Sequence, residues 1–142
     1  MNEGNSLRIE SSGVLGTGSL TTSGKEGYAA IGGDSGHESG NITIVGGRID
    51  ATVYSYGVAG AGIGGGNGHK AGTITITGGN ISANVLGGAF GIGKGAGCGE
   101  VSNIIIDNAL SVSVNSEPVV PASSYSDSGD PPMLHMVSVT QP

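Results

Sequence analysis

Apolar and polar residues alternate along several short runs of this chain. Asn41-Ile42-Thr43-Ile44-Val45 alternates, as does Thr73-Ile74-Thr75-Ile76-Thr77. So do Ile49-Asp50-Ala51-Thr52-Val53 and Ile81-Ser82-Ala83-Asn84-Val85. A period of two sends successive side chains to opposite faces, so each run predicts a strand with one buried face. A shorter Gly-rich run around Ile31, Ile63 or Ile92 precedes each pair of longer ones. Gly46-Gly47 and Gly78-Gly79 join the longer runs of the first two pairs.

The runs recur. With Gly32-Gly33 placed over Gly64-Gly65, a shift of 32, Ile31 falls on Ile63, Ile42 and Ile44 on Ile74 and Ile76, and Ile49, Ala51 and Val53 on Ile81, Ala83 and Val85. A third copy follows with small deletions: Ile104 and Ile106 repeat Ile74 and Ile76 after 30 residues, and Leu110, Val112 and Val114 repeat Ile81, Ala83 and Val85 after 29. Self-similarity at such a period is the mark of stacked repeats. An antiparallel sandwich with hairpins at the Gly-Gly pairs is the rival reading. Insertions and deletions that stay between strands favour stacking. The expected fold is therefore all-β: a right-handed parallel β-helix, or β-solenoid, of three to four coils of about 30 residues. Ile42, Ile74 and Ile104 would form one interior ladder, with Ile44, Ile76 and Ile106 buried beside them.

The solenoid is expected over residues 1–116, with a degenerate coil at 5–26 and repeats at 27–56, 57–88 and 89–116. Leu7, Ile9, Val14, Leu15 and Leu20 supply the apolar positions of the degenerate coil. Residues 117–142 carry Pro118, Pro121, Pro131, Pro132 and Pro142 and read as a linker or capping tail. Within it, 133–140 alternates and predicts an edge strand, with Met133, Val137 and Val139 turned inward and His135 on the same face.

Composition sharpens this picture. Of 142 residues, 30 are glycine, about three times the ordinary share, which argues against helices. The glycines follow no three-residue period, which excludes collagen. A net charge of −6 with only 5 basic residues gives no drive toward nucleic acid or an anionic membrane. No apolar run approaches a membrane span. The single cysteine, Cys98, excludes an intrachain disulfide. Met1 leads into polar Asn2-Glu3-Gly4-Asn5 rather than a signal peptide, which reads as an excised piece of a longer protein or a small cytosolic one.

Ala61-Gly62-Ile63-Gly64-Gly65-Gly66, followed by Thr73-Ile74-Thr75-Ile76-Thr77-Gly78-Gly79-Asn80-Ile81-Ser82-Ala83, resembles Gly-rich repeats in large surface proteins of Gram-positive, often gut-dwelling, bacteria. Those repeats tend to be followed by a Pro-rich segment and a Val-Thr-Val strand, and the stretch from Gly129 to Thr140 is similar to that junction. The likeness covers roughly residues 27–142. The Ile-Thr-Ile-Thr-Gly-Gly element is also similar to one in bacterial β-helical carbohydrate-binding domains. Those carry calcium-binding acidic residues, and this chain has few at the matching turns. The resemblance implies a secreted or cell-surface location and glycan binding, and it assigns no binding residue.

Candidate chemistry is sparse. Tyr28, Tyr54 and Tyr56 are the only clustered aromatics; sugars stack on aromatic faces, and Tyr adds a hydroxyl. Their bland reading is edge packing. The repeat offsets place His37, His69 and Cys98 at one position of successive coils, where imidazole and thiolate could share a Zn²⁺ ion. Asp34, Glu38 and Glu100 lie near in sequence, and the bland reading is a polar loop inherited by duplication. No cofactor is expected, Zn or Ca being the alternatives. The run Gly88 to Gly95 nearly matches a phosphate-binding loop, but Gly95 stands where Ser or Thr must hold Mg²⁺. Asp50 has no predictable carboxylate opposite it, which argues against a glycosidase pair. Outward Thr43, Thr73, Thr75 and Thr77 raise an ice-binding grid, which Ile105 and Asp107 interrupt. The expected function is a structural, adhesive or glycan-binding module of a bacterial surface protein, non-catalytic. The alternative is a fragment of a polysaccharide-active β-helix enzyme or a metal-binding module. Expected partners are a glycan or a host surface, with self-association through the solenoid ends, no nucleic acid and no membrane insertion.

Overall fold

The computed structural model describes residues 4–11, 18–55 and 57–142. Val14 and Leu15 of the expected first coil lie outside the described residues. Among the described residues, thirteen strands fall into three sheets. The first sheet contains β1 (Ser6–Ile9), β4 (Asn41–Ile44), β7 (Thr73–Ile76) and β10 (Asn103–Ile106), in that order and all parallel. A second sheet of two-residue strands runs β3 (Ile31–Gly32), β6 (Ile63–Gly64), β9 (Ile92–Gly93). The third contains β2 (Ser19–Gly24), β5 (Arg48–Tyr54), β8 (Asn80–Leu86), β11 (Ser111–Val114), β12 (Glu117–Val119) and β13 (Leu134–Thr140).

The order of that third sheet overturns the expected single right-handed parallel β-helix. It runs β12-β11-β13-β8-β5-β2. The expected fold needs β11 stacked in parallel on β8. Instead β13 lies between them, antiparallel to both. The chain is an all-β assembly of three separate sheets, two parallel and one mixed. The physical reason is competition for one edge. β13 offers β8 a seven-residue strand, where β11 offers four. Antiparallel pairing is also slightly the more stable per residue. The tail strand is accordingly interior to its sheet, not at an edge. His135, Val137 and Val139 face inward as the alternation requires, but Met133 is 56% exposed.

The repeat copies align where the isoleucines predicted. Ile42 pairs with Ile74 and Ile74 with Ile104; Ile44 pairs with Ile76 and Ile76 with Ile106. Five of the six are buried, and Ile104 is only partly so. The mixed sheet supplies the opposite wall of the core through Ile49, Ala51, Ile81, Ala83, Val137 and Val139. Glycine permits the close approach of the short strands. Gly64 has φ +141, and a Cβ built there would collide with the carbonyl of Gly93.

The two ends of this stack differ. At one end the tail closes over the last copy through a single 3₁₀ turn at Ala122–Ser124 and two buried side chains. The Tyr125 hydroxyl donates to the Ile92 carbonyl (2.6 Å), filling the place of a next strand. Burial pushes its phenol well above the ordinary pKa. The Asp127 carboxylate accepts from the Ser102 backbone N–H (3.0 and 3.3 Å). At the other end β1, β2 and β3 each form an edge of their sheet. There the inward residues are less covered: Leu7 and Ile9 are partly buried and Leu20 is 41% exposed, whereas Ile42, Ile44 and Ile49 are buried.

Candidate functional site

The outward face of the mixed sheet is an ordered array of polar side chains. It follows directly from alternation: with Ile49, Ala51 and Val53 turned in, Arg48, Asp50, Thr52 and Tyr54 turn out. Neighbouring strands extend these positions into rows. Asp50 lies beside Ser82, Ser82 opposite Ser138, and Ser138 opposite Ser113. Thr52 lies beside Asn84, which faces Met136. Tyr54 lies beside Leu86, which faces Leu134. Rows are about 7 Å apart and strands about 4.8 Å.

The face is therefore amphipathic along the strand direction. At one end Arg48 Nε contacts Asp50 Oδ2 at 3.4 Å, and the pair stands over a hollow of 280 Å³ also lined by Asn80, Ser82, Ser138 and Thr140. Asn84 donates from Nδ2 to Ser82 Oγ (3.1 Å). At the other end Tyr54, 70% exposed, continues into Leu86, Leu134 and Met136. Hydroxyl, amide and ionic groups at one end and an aromatic-aliphatic strip at the other suit a ligand with one polar rim and one C–H face.

The structure separates the two sets of sequence-predicted residues. Tyr54 sits on this face. Tyr28 lies round the corner, in the turn after β2, where its N–H donates to the Lys25 carbonyl (2.9 Å) beside an open hollow of 430 Å³. Its backbone is pinned against Gly24 and Gly60, so its half-exposed ring projects from a fixed base. Tyr56 lies outside the described residues.

His37, His69 and Cys98 occupy corresponding turns. The Gly66 N–H donates to the His37 carbonyl and the Gly95 N–H to the His69 carbonyl, so these turns do stack. Two of the side chains are used locally: His37 Nδ1 lies 3.1 Å from the Ser35 carbonyl, and Cys98 Sγ lies 3.6 Å from the Glu100 carbonyl. Among the described residues no three His, Cys, Asp or Glu side chains are grouped as a metal would require. Lys94, in the run that approached a phosphate-binding loop, is buried with its Nζ 5.5 Å from the centre of the Phe90 ring.

Two residues that sequence reasoning passed over, Tyr125 and Asp127, are in the tail, together with His135, whose inward position the alternation did predict. Tyr125, Asp127 and His135 are all buried and all bonded to backbone of the repeat region. A Tyr and an Asp inside a Ser/Pro-rich stretch read as solvated; only the backbone groups left open by the last repeat would have pointed to them.

No family model matches the chain, and neither a curated protein nor a solved structure is similar to it.

Proposed function

We propose that this chain is a non-catalytic binding module of a bacterial surface protein, and that it holds glycans on the outward face of its mixed sheet. The observation that carries the reading is Tyr54, 70% exposed on a seven-residue strand whose inward residues are fully buried. An aromatic ring held open on a rigid base gives a sugar's C–H face a platform at little entropic cost. The adjoining rows of Ser82, Ser138, Thr52 and Asn84 supply donors and acceptors for its hydroxyls. The resemblance of the Gly-rich repeats to bacterial surface proteins supports a secreted or cell-surface setting. A glycan array followed by calorimetry on the retained sugars tests the reading. Tyr54→Ala should weaken binding about tenfold or more, equal to about 1.4 kcal/mol, with the melting temperature unchanged. An array that retains no glycan, or a Tyr54→Ala variant that binds like the parent, refutes it.

A further inference from the structure

We propose that two copies of this chain associate through their β1 edges, strand against strand, in an antiparallel register centred on Ile9. The inference is independent of glycan binding and rests on the end of the stack where β1 is, among the described residues, the outermost strand.

β1 is the outermost strand of its sheet. The Asn41 N–H donates to the Asn5 carbonyl and the Val45 N–H to the Ile9 carbonyl, both at 2.8 Å. Odd-numbered residues thus turn their backbone groups toward β4. Strand backbone groups alternate, so Ser6, Arg8 and Glu10 turn theirs away from it. Among the described residues no strand meets that side. Such an edge is a template for pairing unless something repels the partner.

The side chains on this edge attract a second copy. Arg8 and Glu10 flank Ile9 on the outward face, with opposite charges two residues apart. A two-fold axis through Ile9 sets Arg8 opposite the partner's Glu10, and Glu10 opposite the partner's Arg8. Both pairings fall on residues whose backbone groups face outward, so each exchanges both N–H···O bonds of a hydrogen-bonded pair. Ile9 meets the partner's Ile9 on the inward face, where the closer non-hydrogen-bonded spacing suits apolar contact. Within one copy Arg8 Nη2 already contacts Glu10 Oε2 at 3.0 Å, with both side chains more than half exposed. An exposed pair of this kind holds its partners weakly, so exchange across the axis costs little. The partly covered Leu7 and Ile9 and the exposed Leu20 lie at the same end of the stack and gain cover.

Sedimentation velocity and light scattering, from low micromolar to several hundred micromolar protein, test this. The parent should shift from monomer to dimer, with the dimer weakened by added salt. Arg8→Glu alone and Glu10→Arg alone each set like charges opposite one another and should raise the dissociation constant about tenfold or more. The double swap Arg8→Glu with Glu10→Arg restores both pairings and should restore the dimer. Both side chains are exposed, and circular dichroism melts confirm that each variant is folded. A parent that stays monomeric throughout overturns the proposal. So does a dimer whose affinity in both single reversals equals the parent's, because it must then use another surface.

Discussion

Lowering the pH should loosen this fold through one side chain, His135. It occupies an inward position of β13 and is 4% exposed. The Gly91 N–H donates to its Nδ1 at 2.9 Å, so the ring is neutral with its proton on Nε2. The Phe90 ring meets it edge-on, centroids 4.8 Å apart. Burial lowers its pKa from 6.5 to about 4. The unfolded chain therefore takes up a proton first as the pH falls. The stabilising contribution is complete above about pH 6.5, declines between 6.5 and 4, and is lost below 4. The slope in that window is about 1.4 kcal/mol per pH unit, and the whole contribution about 3 kcal/mol. Against a typical domain stability of about 5–15 kcal/mol this is a large fraction. Denaturant unfolding of the parent and of His135→Leu, between about pH 7 and about pH 5, isolates the effect from the carboxylates common to both. At neutral pH the variant should be less stable by about 1–3 kcal/mol, because the Gly91 N–H loses its acceptor. By pH 5 the gap should have narrowed by about 2 kcal/mol. Two stability curves that run parallel across this range would show that His135 is not held neutral by burial.

Three further outcomes follow from packing. Ile74→Ala, at a fully buried site paired on both sides with Ile42 and Ile104, should cost about 2–5 kcal/mol in chemical denaturation; a smaller loss would mean that the copies collapse readily onto one another. Asp127→Ala strands the Ser102 N–H beneath the tail and should cost about 1–3 kcal/mol, with faster amide exchange at Ser102 as the local readout. Gly64→Ala puts a Cβ against the Gly93 carbonyl at φ +141 and should leave little folded protein at 37 °C, whereas Gly68→Ala, with open space around it, should be much milder.

What could be read in advance was local and periodic. Alternation marked Ile42, Ile44, Ile74 and Ile76 as inward, and the offset of 32 placed them in register. The arrangement of the mixed sheet could not be read the same way. Leu110 to Val114 and Val137 to Thr140 carry the same apolar-polar pattern, and pattern alone does not say which of two strands takes the free edge of β8. His135 looked like a conflict in an apolar face. In fact it supplies the acceptor that Gly91 needs. On the candidate site, alternation past Val53 sufficed to turn Tyr54 outward. The neighbours that form its apolar strip, Leu134 and Met136, depend on the placement of β13 and were hidden with it.

The wedging of β13 between β8 and β11 also imposes a sequence of events on the growing chain. β5 and β8 can pair as soon as both are made, since their partners lie 32 residues apart. β11 follows β9 and β10 and can pair with β12, but neither joins β8 until β13, whose first residue lies 20 positions beyond the last of β11, has been added. Until then a nascent chain carries an unpaired β8 edge and a short apolar strand beside it, the kind of exposed surface on which chains stick to one another. A ribosome that stalls between residues 115 and 133 therefore releases a product already stacked in its early repeats yet open along one side.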